Sequence, residues 1–353
     1  SGGTEGHIPY WLALAIMGVM VTIYVTSSGI RGVTWTTVAQ AIWMFVAIWA
    51  AAFWCLMLID GDLLTLFNKV KETRPEMLTL PGPQGLATPE WWLTWPVFGI
   101  ALYWAILPRG FMFFYSSKSV ETTKKIGLTV GFYLMALYLP AMVIGFTAYT
   151  YYPDLTGSGA DSSFPRLLAE YAPAWFAGMI VAGGLAAGMS SLDADTNANS
   201  AMLTKDVYSS FINKGASDRH YISVGRIFVV FLVAITVLAA TKDWGIVVLM
   251  IGVTASMITQ LLPAVIAVTV PMKRVWFTKA GIVAGIIFGL VASLFVRFFG
   301  REFLPQGFRF DPSFWGLVFN IPAALIVSHF TTKPDPSSVA RIRKALDDEF
   351  RPN

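Results

Sequence analysis

Residues 183–200 read Gly183-Gly-Leu-Ala-Ala-Gly-Met-Ser-Ser-Leu-Asp-Ala-Asp-Thr-Asn-Ala-Asn-Ser200. They continue an apolar run that starts near residue 174, so the segment 174–202 is long enough to cross a bilayer as a helix. Small and polar residues stand where a lipid-facing helix carries leucine or isoleucine. This pattern predicts a membrane helix that packs against other helices.

The composition of the whole chain excludes an ordinary soluble protein. Of its 353 residues, 56% are hydrophobic and 13% are charged, whereas a soluble domain carries about 25% charged residues. So few charges cannot cover a soluble core of this size, and the predicted solvent is the lipid bilayer. The basic residues form no basic-aromatic patch, which argues against a nucleic-acid partner. The single cysteine, Cys55, excludes a disulfide within the chain.

Apolar runs of about 20 residues predict nine membrane spans. The runs are continuous and do not alternate in hydrophobicity as the strands of a β-barrel do, so the predicted fold is an all-α polytopic membrane protein. Residues 1–332 are expected to form the membrane domain and residues 333–353 a cytoplasmic tail. The spans are 8–27, 34–58, 92–115, 124–152, 174–202, 221–240, 245–270, 278–300 and 313–331.

The distribution of lysine and arginine predicts the orientation. Fifteen lie on the side that holds loops 28–33, 116–125, 203–220 and 271–279 and the tail, and eight lie on the opposite side. The positive-inside rule then places the C-terminus in the cytoplasm and residue 1 outside, in a plasma membrane. The first residues resemble neither an initiating methionine nor a signal peptide, so we expect the chain to begin partway through a longer protein.

Two carboxylates lie within the segment 174–202. Asp193 shares one helical face with Ser190 and Asn197, and Asp195 shares another face with Ser191. A carboxylate inside a membrane marks an ion path, a proton relay or a buried pair. Hydroxyl and carbonyl oxygens with at most one carboxylate suit Na⁺, which as a hard cation prefers oxygen ligands.

Three motifs resemble those of the sodium/solute symporter family. Ala186-Ala-Gly-Met-Ser-Ser-Leu192, followed after eleven residues by Thr204-Lys-Asp-Val-Tyr208, is similar to the family's signature helix. The junction that runs from Tyr24 through Gly29 to Val33-Thr-Trp-Thr-Thr-Val-Ala-Gln40 and the segment Pro108 to Tyr115-Ser-Ser-Lys-Ser119 resemble two further family motifs. The matches occur in the family's order and cover about residues 8–332.

The resemblance implies an inverted-repeat fold of the leucine-transporter type. The nine spans would correspond to core helices four to ten and two further C-terminal helices, so the first core helix is expected to be missing from this sequence. By the same resemblance, Ala187, Ser190 and Ser191 would supply carbonyl and hydroxyl ligands of the main sodium site. The other ligands of that site would come from the first core helix.

One departure from the family pattern concerns a second cation site. Thr37 stands where the junction motif usually has aspartate, whereas Asp193 lies on the side of the eighth core helix. We hypothesise that the carboxylate has moved across the helix pair, so that Asp193 binds the cation with Thr37 as a neutral ligand. The alternative is that Asp193 only hydrogen-bonds Asn197 or a neighbouring helix.

Leu107-Pro-Arg-Gly110 predicts an interrupted span, because proline removes a backbone donor and glycine loosens a helix. Arg109 lies nine residues before Lys118, about 13 Å along a helix, and therefore near the middle of the bilayer. There it could bind an anionic group of the solute, such as a carboxylate, through bidentate hydrogen bonds. The alternatives are an ion pair with Asp193 or Asp195, or a misplaced span boundary.

Further candidates for the solute path lie in two spans. Thr254, Ser256 and Gln260 are polar residues of the span 245–270, and Tyr103 and Trp104 precede the predicted break. Polar contacts between helices and ordinary aromatic packing are the respective alternatives.

These patterns together predict a sodium-coupled secondary active symporter of a small organic solute, and not an enzyme. The sequence contains neither a phosphate-binding Gly-Lys-Ser/Thr motif nor a Gly-x-Ser-x-Gly nucleophile motif. Na⁺ is the predicted coupling ion and no other metal or cofactor is expected. A proton-coupled carrier that uses Asp193 or Asp195 and a sodium-linked sensor domain remain as alternatives, and no pattern predicts the oligomeric state.

Overall fold

The computed structural model describes residues 9–82, 88–155, 157–241, 247–270, 276–341 and 344. Within these residues the chain consists of helices and the turns between them, without a strand. The chain divides into two compact units. Unit 1 comprises Ser1–Pro75 and Met112–Gly245, and unit 2 comprises Glu76–Phe111 and Ile246–Asn353.

The described α-helices are α1 (Tyr10–Leu58), α2 (Leu63–Thr73), α3 (Pro89–Thr94), α4 (Leu102–Ile106), α5 (Pro108–Ser116), α6 (Val120–Tyr151), α7 (Ser163–Tyr171), α8 (Ala174–Met202), α9 (Asp218–Ala240), α10 (Val247–Ile258), α11 (Leu262–Thr269), α12 (Lys279–Phe303) and α13 (Pro312–Phe330). π-Helical turns at Trp95–Ala101 and Leu203–Ile212 and 3₁₀ turns at Pro75–Leu78, Gly157–Ser162 and Thr259–Leu261 complete the secondary structure of the described ranges.

Seven of the described helices are long and apolar enough to cross a membrane. The pair Pro89–Ile106 and Pro108–Ser116, whose axes differ by 58°, is an eighth candidate, and the apolar helix Trp11–Ser27 is shorter. These segments correspond to the nine predicted spans. The prediction of an all-α polytopic membrane protein is confirmed, and the count of nine is approximate.

Helix α1 contains both the first and the second predicted span. The predicted loop at residues 28–33 was wrong, because the backbone stays helical from Tyr10 to Leu58. Serine and glycine lower helix propensity, but unlike proline they remove no backbone donor.

Helix α1 is nevertheless not straight. The Gln40 side chain is a hydrogen-bond neighbour of the Tyr24 hydroxyl, although a straight helix would separate residues 24 and 40 by about 24 Å.

A sharp bend therefore lies between these two residues, in the stretch that contains Ser27, Ser28 and Gly29. Gly/Ser pairs are among the usual causes of helix kinks. The bend brings Val21, Val25 and Val33 into one buried cluster with residues of α9. The bend thus changes the direction of the chain between the two predicted spans, as the predicted loop was expected to do.

Two short amphipathic helices lie in the predicted long loops 59–91 and 153–173. Helix α2 begins at the N-cap Asp62, whose Oδ1 accepts a hydrogen bond of 2.9 Å from the Thr65 amide. This backbone hydrogen bond lowers the pKa of the Asp62 carboxyl. Helices α2 and α7 bury one face each, with Leu66 and Leu167 fully buried. A scan for apolar runs of about 20 residues cannot detect helices of this length.

In unit 2, helices α12 and α13 pack closely along a row of glycines. Gly281, Gly285 and Gly289 recur every fourth residue on α12. A Cβ atom added at Gly285 would lie 2.8 Å from Ala324 Cβ and 2.9 Å from the carbonyl oxygen of Asn320. Small residues at this spacing allow two membrane helices to approach closely.

Candidate functional site

Helix α8 carries the polar stretch predicted to bind sodium. The Ser190 hydroxyl donates a hydrogen bond of 2.9 Å to the carbonyl oxygen of Ala187, so two of the three predicted main-site ligands are bonded to each other. Ala187 and Ser190 are partly buried, and Ser191 is exposed. All three lie in unit 1. Their role as ligands stays a prediction.

Asp193 is the most enclosed acidic residue of this stretch, with 0% of its surface exposed. The Tyr24 hydroxyl of α1 donates a hydrogen bond of 2.9 Å to Asp193 Oδ2. The Asn197 amide instead contacts the sulfur of Met112 at 4.0 Å. The alternative to a cation ligand was that Asp193 only hydrogen-bonds Asn197 or a neighbouring helix. Of these two partners, the structure shows the neighbouring helix.

Three buried oxygen atoms on α1 and α8 have no hydrogen-bond partner among the described residues. They are Asp193 Oδ1, Gln40 Oε1 and Thr37 Oγ1. Gln40 reaches the group through Tyr24, and Thr37 precedes Gln40 by three residues, which places both on one face of α1. A buried acceptor without a donor is costly, so these oxygens on two contacting helices are candidates for binding a ligand.

As metal ligands, these three oxygen atoms fit a sodium ion. One carboxylate, one amide carbonyl and one hydroxyl are all oxygen ligands, and only one of them is charged. Asp193 and Thr37 were predicted for this site from the sequence. Gln40 and Tyr24 were missed, although both lie in the quoted junction motif, because their proximity depends on the bend in α1.

In unit 2, the break before Arg109 has the predicted position. Helix α4 ends at Ile106, and Leu107 has an extended backbone with φ −54° and ψ 139°. The residue before a proline is disfavoured in the helical region, which explains the break at Leu107. The partly buried Arg109 guanidinium lies 4.4 Å from the ring centroid of Trp104, in a cation–π contact.

Tyr103 and Trp104 differ in their surroundings. Tyr103 is 9% exposed and packs in an apolar cluster with Leu107 and Ala255. Trp104 is 49% exposed and lies against Arg109. The packing alternative therefore fits Tyr103, whereas Trp104 presents a ring face to the only arginine of the break segment 107–110.

Two polar residues, Ser256 of α10 and Gln260 of the 3₁₀ turn that follows it, lie at helix contacts within unit 2. Ser256 and Gln260 are both 0% exposed. The Gln260 amide donates to the Ser256 carbonyl at 3.1 Å, and its side-chain oxygen accepts from Asn320 at 3.2 Å. Thr254 is exposed and donates to the Met250 carbonyl. These contacts favour the interhelical alternative for Ser256 and Gln260.

Ser256 lies beside an ion pair between Arg297 and Asp311. The sequence patterns did not predict this pair. Arg297 Nη2 is 3.8 Å from Asp311 Oδ2 and donates to the Ser256 hydroxyl at 3.2 Å and to the Gly252 carbonyl at 3.0 Å. Arg297 is one of the eight lysines and arginines that the charge count places on the side opposite the cytoplasm, but it is a mostly buried residue of α12. The sequence did contain a signal for this ion pair, since an arginine within a membrane helix requires a partner.

Interrupted membrane helices and a buried carboxylate with unpartnered oxygens beside it are features of a membrane carrier for ions and solutes. The sequence model of the sodium:solute symporter family matches residues 6–289, more than half of the chain. The chain therefore belongs to the sodium:solute symporter family, a family of transporters and not of enzymes. It is a multi-pass membrane protein, and its family supports a place in the plasma membrane.

Curated relatives extend this assignment. The chain is 28% identical over 336 residues to the uncharacterized symporter YhjB of Bacillus subtilis, a match that covers 93% of this chain and 67% of the relative. It is 25% identical over 355 residues to the sodium/proline symporter of Haemophilus influenzae, covering 96% of this chain and 67% of that protein.

A solved structure has the same fold. A Na⁺-coupled sialic acid symporter in a substrate-bound, outward-open state superposes with a TM-score of 0.72 at 19% identity. The superposition covers 94% of this chain and 69% of the symporter, whose structure is described as revealing a novel Na⁺ site. At this identity the likeness shows the fold.

Proposed function

We propose that the protein moves a small organic solute across the plasma membrane together with sodium. Membership of the sodium:solute symporter family supports this reaction class. Coupling requires that sodium bind the outward-facing and inward-facing states with different affinity, because equal affinity would shift no equilibrium. The coupling ion must therefore bind oxygen ligands that lie on helices able to move relative to one another.

The observation that carries the proposal is the set of buried, unpartnered oxygens on α1 and α8, the helices joined by the hydrogen bond from Tyr24 to Asp193. Asp193 Oδ1 lies on α8, and Gln40 Oε1 and Thr37 Oγ1 lie on α1, in the same compact unit. A sodium ion held by these three atoms would satisfy each of them. We place this site beside the main sodium site, for which the family resemblance supplies Ala187, Ser190 and Ser191.

The solute that we propose carries a carboxylate. The named solutes of two similar proteins, proline and sialic acid, are both carboxylates. Arg109 lies at a helix break with its guanidinium 4.4 Å from the centroid of the Trp104 ring, and a guanidinium is the side-chain group that binds a carboxylate in a bidentate way. The remaining solute-path candidates are Tyr103, Thr254, Ser256 and Gln260, of which the exposed Thr254 is the one that does not lie at a helix contact.

The first experiment measures uptake into proteoliposomes with an imposed sodium gradient, using a mixture of labelled carboxylates, amino acids and sugars. We expect a carboxylate to accumulate only with an inward sodium gradient and accumulation to stop in the Ser190→Ala, Ser191→Ala double variant. Accumulation driven by a pH gradient without sodium would contradict sodium coupling and would favour a proton-coupled carrier.

The second cation site is tested by Asp193→Asn, with Tyr24→Phe as the matched control. If Asp193 binds sodium, the amide should weaken the apparent sodium affinity by roughly tenfold or more, about 1.4 kcal/mol or more. Tyr24→Phe removes the hydrogen bond to Oδ2 but leaves the three ligand oxygens, so it should change the affinity much less. Equal effects of the two substitutions would show that Asp193 is only a hydrogen-bond acceptor.

A binding measurement keeps this test valid if transport is lost for another reason. Sodium that binds only the folded protein stabilises it by RT ln(1 + c/Kd), where c is the sodium concentration, and therefore raises its unfolding temperature. The purified wild-type protein should therefore be stabilised by sodium over potassium. Asp193→Asn should lose part of this stabilisation, whereas Tyr24→Phe should keep it.

A further inference from the structure

A groove of about 790 Å³ lies at one end of the hairpin of α12 and α13, and none of its lining residues belongs to the candidate sodium or solute sites. Its polar rim is formed by Lys279, Thr331 and Thr332, and its apolar part by Val283, Ile287 and Phe330 together with two alanines. Helix α13 lies beyond residue 289, where the match to the symporter family ends. No role in sodium or solute binding has been assigned to this groove.

The rim lies at the level where the membrane helices begin and end. Lys279 is the first residue of α12, and Thr331 follows the last residue of α13. The Lys279 side chain is exposed and forms no ion pair with any described residue. The Thr331 hydroxyl bonds the N-cap Thr278 at 2.6 Å, which ties the two helix ends together.

The apolar part of the groove extends into the span. Val283 and Ile287 lie four and eight residues after Lys279, which places them about 6 and 12 Å deeper along the helix. They are 50% and 54% exposed, and Phe330 at the rim is 81% exposed. Aromatic residues are typical of the membrane–water interface. The groove is thus polar at headgroup depth and apolar at acyl-chain depth.

The described residues near the rim carry a net positive charge. In segments 276–283 and 326–335 the charged residues are Lys279, Lys333 and Asp335. A lysine near the membrane surface attracts anionic lipid headgroups by about 1 kcal/mol. A zwitterionic lipid carries a cationic group that these charges repel, and a free phosphate would leave the apolar part of the groove uncovered.

We propose that this groove binds an anionic phospholipid. The phosphate lies against the Lys279 ammonium and the Thr332 hydroxyl at the rim, and one acyl chain runs along Val283 and Ile287. The site is independent of the proposed transport function, because none of its residues belongs to the candidate sodium or solute sites.

Native mass spectrometry of the purified full-length protein tests the proposal with phosphatidylglycerol, phosphatidylcholine and glycerol phosphate as probes. Phosphatidylglycerol should bind the wild-type protein in preference to phosphatidylcholine. Lys279→Gln should weaken this binding about fivefold, the factor expected for one charge near a membrane surface. The matched control is Lys125→Gln, which removes another exposed lysine near the start of a membrane helix, 3.7 Å from Glu121, and should leave binding unchanged.

A second variant tests the acyl-chain part of the groove. Val283→Trp fills the groove without changing a charge, so it should reduce phosphatidylglycerol binding although Lys279 is intact. Equal binding of the two lipids, or equal losses in Lys279→Gln and Lys125→Gln, would overturn the proposal. Binding of glycerol phosphate that Val283→Trp leaves unchanged would show a simple anion site and would overturn it as well.

Discussion

Arg109 is held at the helix break by its immediate neighbours. Its guanidinium face lies on the Trp104 ring, a contact that partly offsets the loss of hydration. Gly110 follows at a position where a Cβ atom would lie 2.7 Å from the Trp104 carbonyl oxygen, so only glycine allows this close approach. The geometry of the break thus positions the arginine.

We predict that Arg109→Gln raises the KM for a carboxylate solute by roughly tenfold to a hundredfold, because a hydrogen bond to a charged group is worth about 1.5–3 kcal/mol. The KM of Arg109→Lys should lie between those of the wild type and Arg109→Gln, since lysine keeps the charge but cannot form a bidentate pair. Sodium-driven uptake measures both, with an uncharged ester of the same solute as the comparison. An equal loss for acid and ester would show that Arg109 is structural.

At the scale of single residues, the sequence predicted Asp193 and Thr37 as cation ligands but did not indicate Tyr24 or Gln40. Helical spacing places Ser190, Asp193 and Asn197 on one face, yet the structure pairs Asp193 with Tyr24, 169 residues away in sequence. Such a contact depends on the bend of α1 and on how α1 packs against α8. Spacing within one helix carries no information about either.

At the scale of elements, hydropathy predicted the membrane helices well and the short helices not at all. Residues 124–152, 174–202 and 313–331 were predicted as spans, and α6, α8 and α13 follow them closely. Leu107-Pro108 also predicted a break, because the steric effect of proline is local. Helices α2 and α7 were missed, because their amphipathic pattern is shorter than a membrane span.

Two glycines, one in the row on α12 and one on α6, yield predictions of opposite sign. Gly285→Ala should destabilise the protein by about 1–3 kcal/mol, because the added Cβ would overlap Ala324 and the Asn320 carbonyl. Gly145→Ala on α6 should be neutral or stabilising by up to about 1 kcal/mol, because its Cβ meets no atom within 4 Å and alanine is the better helix former.

Thermal unfolding of the purified protein in detergent, followed by tryptophan fluorescence, measures both variants. The two substitutions are chemically identical, so a difference in their sign reports the local packing alone. If Gly285→Ala unfolds at the wild-type temperature or above, helices α12 and α13 do not depend on this close contact.

At the scale of the whole molecule, the sequence predicts an orientation through its charges. The structure refines that count, because Arg297 lies in a mostly buried ion pair and is no longer a loop charge. Arg31 likewise lies within helix α1 and not in a loop, so seven lysines and arginines remain on the predicted outer side against fourteen on the predicted cytoplasmic side. The positive-inside rule depends on charges near the ends of the spans, so the predicted asymmetry remains.

We predict that Lys214 faces the cytoplasm and Gln306 faces the outside. Each is exposed and lies in a connection between membrane helices, and each can be replaced by cysteine in a Cys55→Ser background that has no other cysteine. A membrane-impermeant maleimide should label Gln306→Cys in intact cells and Lys214→Cys only after permeabilisation. The reverse pattern would invert the topology. Labelling of both sites in intact cells would place residues 214 and 306 on the same side, which an odd number of crossings between them forbids.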